Sequence, residues 1–322
     1  MGFHRFSLIF SIVALVALLA LPLKAFPAQE NSADTTTLKV SGATIDVALP
    51  DKPMKLSHQE LLSWVKTSAT TVANYYGHFP VPHLTLKIRS TSGSGVRHGV
   101  TYPKDGGLIL ISVGSDADVA ATKEDWVLVH EMIHLAFPSM EDDQHWIEEG
   151  ISTYVEPVAR ARNGGISIKE VWGAFVRDMP KGEPGPDDHG LDNTHTWGRT
   201  YWGGAIFCLL ADVRIRERTK NRKGLEDALR GINRGGGNIS EDWDINKALA
   251  MGDKATGTTV LRDLYHEMRD KPDPIDLDQL WTKLGIQMKD DSVAFNDQAP
   301  EANIRKAITA PQSSASAPAG QH

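Results

Sequence analysis

Two histidines four residues apart, His130 and His134, enclose a glutamate in the run His130-Glu131-Met132-Ile133-His134. On an α-helix, side chains at i and i+4 stand one turn above each other, so the two imidazoles can face a single ion. Glu131 is offset beside them, where it can hydrogen-bond a metal-activated water, take its proton during attack on a carbonyl and pass that proton to the leaving group. Zinc lowers the pKa of water from about 16 towards roughly 7, so this chemistry needs no serine or cysteine nucleophile. With twelve histidines in the chain, such a pentapeptide can also arise by chance. The alternative is a polar cluster satisfied within the core. Its apolar neighbours Val127, Leu128, Val129, Ile133 and Leu135 predict a buried helix, where two imidazoles and a carboxylate are costly without partners or a metal.

Catalytic zinc usually takes three protein ligands and keeps one position open. Candidates for the third lie in Trp146-Ile147-Glu148-Glu149-Gly150-Ile151-Ser152-Thr153-Tyr154-Val155-Glu156, a second apolar helical stretch with acidic residues. Fourteen residues separate His134 from Glu149, enough for the chain to turn and return antiparallel. Spacing alone does not separate Glu148 from Glu149. Glu156, two turns beyond Glu149, is a candidate hydrogen-bond partner for one histidine or a member of an ordinary ion pair.

The pentapeptide followed by Trp-Ile-Glu-Glu-Gly resembles the gluzincin pattern of the aminopeptidase N group and its peptidase MA-like relatives. That resemblance implies that Glu149, immediately before the glycine, is the third zinc ligand and that Glu148 is not. Tyr201-Trp202-Gly203-Gly204-Ala205 is similar to the Tyr-x-x-Gly-Ala element of the same families, which implies that Tyr201 donates to the oxyanion. A helix-start aromatic packed under a loop is the plainer reading of Tyr201. The resemblance covers about residues 108–210 and departs from the aminopeptidases in one respect. They carry a Gly-x-Met-Glu-Asn element that grips a free amino terminus, and no such run precedes His130, so exopeptidase activity is unsupported.

The elements that must position these residues read as α+β. A strand is expected over 38–49, then a helix to about Tyr76 behind the capping box Ser57–Glu60. A strand at 84–88 and a hairpin of 96–102 with 108–113 complete a small mixed sheet packed on the motif helix, which Thr122 is placed to cap. The stretch 108–113 is a candidate edge for an extended peptide. Helices follow at about 145–162, 168–179, 201–219, 225–232, 245–251, 258–268 and 276–284, a mostly helical part of thermolysin or gluzincin type. The Gly-, Pro- and Asp-rich stretch 180–196 reads as a long loop bordering the cleft. Arg199 and His195, just upstream of Tyr201, are placed to touch substrate, but the plainer reading of both, and of the clusters Glu141-Asp142-Asp143 and Asp187-Asp188-His189, is solvated loop residues. Cys208, the only cysteine, excludes an internal disulfide and a cysteine zinc cage, and its apolar surroundings read as core.

The 41% apolar and 23% charged content is that of a globular chain, and a net charge of −7 without an internal basic block argues against nucleic acid. His4 and Arg5 precede an apolar run from Phe6 to Leu23 and the small residues Ala25 and Ala28. This reads as an export signal over 1–28, with an uncleaved membrane anchor as the alternative. Either way the expected location is exported, periplasmic or secreted. The expected catalytic unit spans 38–311, with a soft internal boundary near Gly164 between 38–163 and 164–311, and 312–322 reads as a disordered tail. The function expected is that of a zinc-dependent peptidase acting on peptide or protein substrates. The alternatives are a noncatalytic binding or assembly module that keeps the site, and a zinc hydrolase of other amides or esters.

Overall fold

The computed structural model describes residues 35–290 and 292–311. The expected export signal and the expected disordered tail lie outside the described residues. Strands β1 (Thr35–Val40), β2 (Ala43–Ala48), β3 (His83–Thr91), β4 (Val96–Tyr102) and β5 (Leu108–Gly114) form a five-stranded mixed sheet in the order β1-β2-β3-β5-β4. β2, β3 and β5 run parallel, while β1 and β4 are antiparallel to their neighbours. Alternate residues Ile45 and Val47, Leu84 and Leu86, and Ile109 and Ile111 are buried, as period-two strands with one covered face require.

The strand expected over 38–49 is a hairpin, because Ser41 (φ 47°) and Gly42 (φ 88°) both take the left-handed conformation of a tight turn. Helix α1 (His58–Tyr76) connects β2 to β3, and its capping box forms as the sequence predicts. Its buried residues Leu61, Trp64, Val65, Ala69 and Val72 recur at helical spacing.

The motif helix is shorter than its apolar pattern suggests. Thr122 lies inside a separate helix, α2 (Val119–Glu124), capped by Asp118. Helix α3 (Val127–His134) then starts afresh, because the buried carboxylate of Asp125 accepts from the first free amides, Val127 N at 2.9 Å and Leu128 N at 3.2 Å. Trp64 Nε1 donates to the same carboxylate and ties this start to α1.

The helical part comprises α4 (His145–Arg162), α5 (Ile168–Asp178), α6 (Gly204–Thr219), α7 (Leu225–Arg234), α8 (Ile245–Thr256), α9 (Val260–Met268), α10 (Leu277–Leu284) and α11 (Ala302–Ile308). The short hairpin of β6 (Ile286–Lys289) and β7 (Ser292–Phe295), and α11, carry no clear periodic signal and were not foreseen. The architecture is α+β, a small mixed sheet against α3 followed by a mostly helical part, of gluzincin type. Among the described residues no helix is long and apolar enough to cross a membrane.

Candidate metal centre

His130 and His134 lie one turn apart on α3, and α4 brings Glu149 against them. His130 Nε2 is 3.3 Å from His134 Nε2, and Glu149 Oε2 is 3.2 Å and 3.6 Å from these two nitrogens. Two ligands each about 2.0–2.1 Å from a tetrahedral ion stand roughly 3.4 Å apart, so the three atoms already mark one face of such a tetrahedron. The donor set of two imidazoles and a carboxylate suits zinc. Among the described residues no fourth His, Cys, Asp or Glu joins the group. The three side chains keep 8–13% exposure, so the centre is recessed but reachable by water.

Electrostatics agree with this donor set. Burial pushes the His134 pKa down to about 3, reinforced by His130, and leaves a neutral imidazole with a lone pair. Burial alone would raise Glu149, but hydrogen bonds with His130 and His145 outweigh it and hold the carboxylate below its usual range. Every ion-pair partner of Glu149 among the described residues is a histidine. His145 Nε2 is 3.3 Å from Glu149 Oε1 and its Nδ1 is 2.9 Å from Glu148 Oε2; these two carboxylates raise its pKa to about 10. Glu148 also accepts from the amide of Met140, which holds it away from the cluster.

Glu131, on the turn of α3 between the two histidines, lies against β4. Thr101 Oγ1 donates to Glu131 Oε2 at 2.6 Å and to the Glu131 carbonyl at 3.0 Å. A Cβ at Gly99 would overlap the Glu131 side chain, so glycine is what lets the strand pass this close. Burial raises the Glu131 pKa, against the opposing hydrogen bond from Thr101. β4 is therefore the strand beside the site, and β5, expected to offer an edge, is paired on both sides.

Tyr201 arrives from the helical part. A π-helical turn, Gly198–Gly203, runs directly into α6, a variation on helical geometry common at functional sites. The Tyr201 ring lies nearly parallel to that of His130, with centroids 6.4 Å apart and planes at 17°. Its pKa is pushed up to about 12 by burial and then by the Glu149 and Glu131 carboxylates. The placement depends on two glycines. A Cβ on Gly150 would overlap the Gly204 backbone, and one on Gly204 would overlap the Trp146 carbonyl, so α4 and α6 cross with their backbones in contact. Glu149 precedes one glycine and Tyr201 stands three residues before the other.

Among the neighbouring residues, Arg199 and Asp188 differ from expectation. Glu156 accepts from Arg160 Nη1 at 2.9 Å, the ion-pair alternative, and burial raises its pKa to about 7. Arg199 and Asp188 are buried rather than solvated: Arg199 Nε lies 2.7 Å from Asp188 Oδ2, and its Nη1 donates to the Gly182 carbonyl. That pair anchors the stretch 180–196, which is further pinned where Asp192 accepts from Trp146 Nε1 and Tyr265 OH. His195 remains exposed, 3.7 Å from Asp143. Cys208 is buried, as expected, and burial raises its thiol pKa. Thr101, Gly99 and His145 escaped the sequence reading. Only the pairing of β4 with the site could have singled out the first two, whereas His145, four residues before Glu149, carried a helical-spacing signal.

No protein-family model matches the chain, and no curated protein is similar to it in sequence. Solved structures are similar in fold. An aminopeptidase N family protein from Idiomarina loihiensis superposes with a TM-score of 0.59 at 12% identity, over 79% of this chain and 49% of that one. An M1 zinc metallopeptidase from Deinococcus radiodurans gives 0.46 at 14% identity, over 75% and 53%. The chain thus spans about half the length of these structures, and at such identity the first likeness shows a shared fold alone.

Proposed function

We propose that the chain is a zinc metallopeptidase in which His130, His134 and Glu149 hold the ion, Glu131 is the general base and Tyr201 donates to the oxyanion. The observation that carries this reading is the set of separations 3.2, 3.3 and 3.6 Å among the three ligand atoms, the edge lengths of a tetrahedral site. Zinc bound there supplies Lewis acidity, polarising a carbonyl and making water nucleophilic near neutral pH. Glu131, oriented by Thr101, takes the proton from the attacking water and delivers it to the leaving amine. The Tyr201 hydroxyl, beside His130, donates to the developing oxyanion.

A peptide substrate is supported by β4. It is the outermost strand on the site's side of the sheet, and its outward main-chain groups suit an extended chain bound as an added strand. We place the whole unit, 38–311, outside the cytoplasm on the strength of the apolar run Phe6–Leu23.

The test is metal analysis of the purified chain together with cleavage of a broad peptide library. Wild type carries one zinc and cleaves. His134→Ala loses the zinc, whereas Glu131→Gln keeps it and loses about 10²–10⁴-fold in turnover, because a base but no ligand has changed. Stoichiometric zinc that survives His134→Ala sinks the site.

A further inference from the structure

Glu149 has two carboxylate oxygens, of which Oε2 faces the histidine nitrogens at 3.2 and 3.6 Å. Its Oε1 lies 3.3 Å from Nε2 of His145, the first residue of α4. The other ring nitrogen of His145, Nδ1, is 2.9 Å from Glu148 Oε2, and Glu148 Oε1 accepts from the Met140 amide at 3.2 Å. The contacts thus run in a line from the main chain at Met140, through the side chains of Glu148 and His145, to the second oxygen of Glu149. His145 itself stands outside the set of converging ligand atoms.

Spacings of three and four residues bring His145 against both glutamates on one face of the helix. A gain in helix stability does not account for the residue. Basic groups are favoured in the last turn of a helix, and a base four positions before an acid is the poorer order for such a pair. The ring is 54% exposed, and pairs at that exposure add little to folding. What the contact does change is the freedom of Glu149. The torsion that turns a glutamate carboxylate is broad, so an unheld Glu149 is free to swing either oxygen towards the histidines or away from them. A donor fixed beside Oε1 removes that freedom, as hydrogen-bond partners of metal-ligating groups do. His145 is able to act in this way because Glu148, anchored on the Met140 amide, fixes its ring.

We infer that His145, held by Glu148, is a positioning residue that keeps Glu149 Oε2 turned towards His130 and His134. The inference rests on the reading of His130, His134 and Glu149 as zinc ligands, and on the contacts of Oε1 for the role of His145. The pair sets how tightly the ion is held, whereas Glu131 and Tyr201 serve the breaking of the bond. Loss of a hydrogen-bond partner of a ligating side chain costs about 10–100-fold in metal affinity.

The experiment measures the zinc affinity of the full chain by competition with a chromophoric chelator, for wild type, His145→Ala, His145→Gln and Glu148→Ala. Chemical denaturation of each zinc-free chain accompanies it. His145→Ala is expected to bind zinc about 10–100-fold more weakly than wild type, and Glu148→Ala to lose less in the same direction. His145→Gln, whose side-chain amide still donates towards Oε1, should recover much of the loss. The zinc-free chains should unfold at the same denaturant concentration, because an exposed pair contributes little to folding. Wild-type affinity in both alanine variants overturns the positioning role and leaves the metal centre standing. An affinity loss matched by a fall in zinc-free stability, with no recovery in His145→Gln, marks a structural role and overturns it as well. X-ray absorption of the zinc-loaded wild type is expected to count two imidazoles, those of His130 and His134; a third would make His145 a ligand and overturn the positioning role too. Wild type that holds no zinc overturns both readings. Zinc affinity that depends on His145, with no peptide cleaved by wild type, supports the positioning role and sinks the peptidase reading alone.

Discussion

Two groups of buried ionisable side chains among the described residues are built on opposite principles. In the helical part, Asp212, Arg216, Glu226 and Arg162 match two acids with two bases. Arg216 Nε donates to Asp212 Oδ1 at 2.7 Å, and its Nη2 reaches both oxygens of Glu226 at 2.8 Å. Tyr154 OH and the Leu225 amide complete the shell of Asp212, while Arg162 donates to Glu226 and to the Ile308 carbonyl. At the centre on α3 and α4, by contrast, two imidazole nitrogens and a carboxylate oxygen converge on one another, and among the described residues no arginine or lysine is paired to Glu149. A closed set of ion pairs welds helices together, whereas converging acceptors are complete only with a cation among them. Burial of charge alone would not have separated the closed cluster from the one that could hold a metal ion; the direction in which the donors and acceptors point does.

The comparison is sharpest if one member of the closed network is removed. Asp212→Ala leaves Arg216 Nε, Tyr154 OH and the Leu225 amide without their shared buried acceptor and is expected to cost about 3–5 kcal/mol in chemical denaturation, with zinc content unchanged in the surviving folded fraction. The open centre should respond the other way. Zinc at a thousandfold above its Kd is expected to stabilise wild type by about 4 kcal/mol, an increment absent in His134→Ala and reversed by a chelator. A chelator-insensitive wild type would remove the distinction between the two clusters.

Glu156 stands between these extremes, buried with a single arginine. Its folded pKa of about 7 lies above the ordinary 4.5, so its contribution is fully present below about pH 4.5 and is lost as pH rises through 7. Arg160 and His130 oppose that rise while Asp125 adds to it. Glu156→Gln should therefore flatten the decline in stability between pH 5 and 8, by on the order of 1–3 kcal/mol at the upper end, in denaturation curves recorded across that range. The smallest effect on stability is expected from Gly204→Ala. Overpacking at the crossing of α4 and α6 costs about 1–3 kcal/mol and is partly offset by about 1 kcal/mol of helix propensity. Zinc binding should persist while turnover drops, because the change moves Tyr201 relative to Glu149; unaltered turnover would detach the glycine contact from the site.

Much of this was legible in the chain. Residues four apart on a helix must share a face, so His130 and His134 needed no fold to be paired. The capping box at Ser57 is likewise local hydrogen-bond chemistry, and α1 begins where that residue stands. Alternation of apolar residues announced β3 and β5 for the same reason. Local pattern misled where two short elements abut: the apolar run through α2 and α3 concealed a break, which Asp125 makes by capping α3 from a buried position that only α1 and Trp64 create.

The sequence by itself determined the donor types, the helical pairing of the two histidines and the order of the segments that carry Glu149 and Tyr201, because these follow from spacing within single elements. Tertiary structure decided which glutamate turns towards the histidines, that β4 rather than β5 runs beside Glu131, and that Arg199 and Asp188 are an interior brace. Such outcomes depend on how helices cross and strands order themselves, and the contact of Gly150 with Gly204 is set by close packing between elements, which no local periodicity encodes.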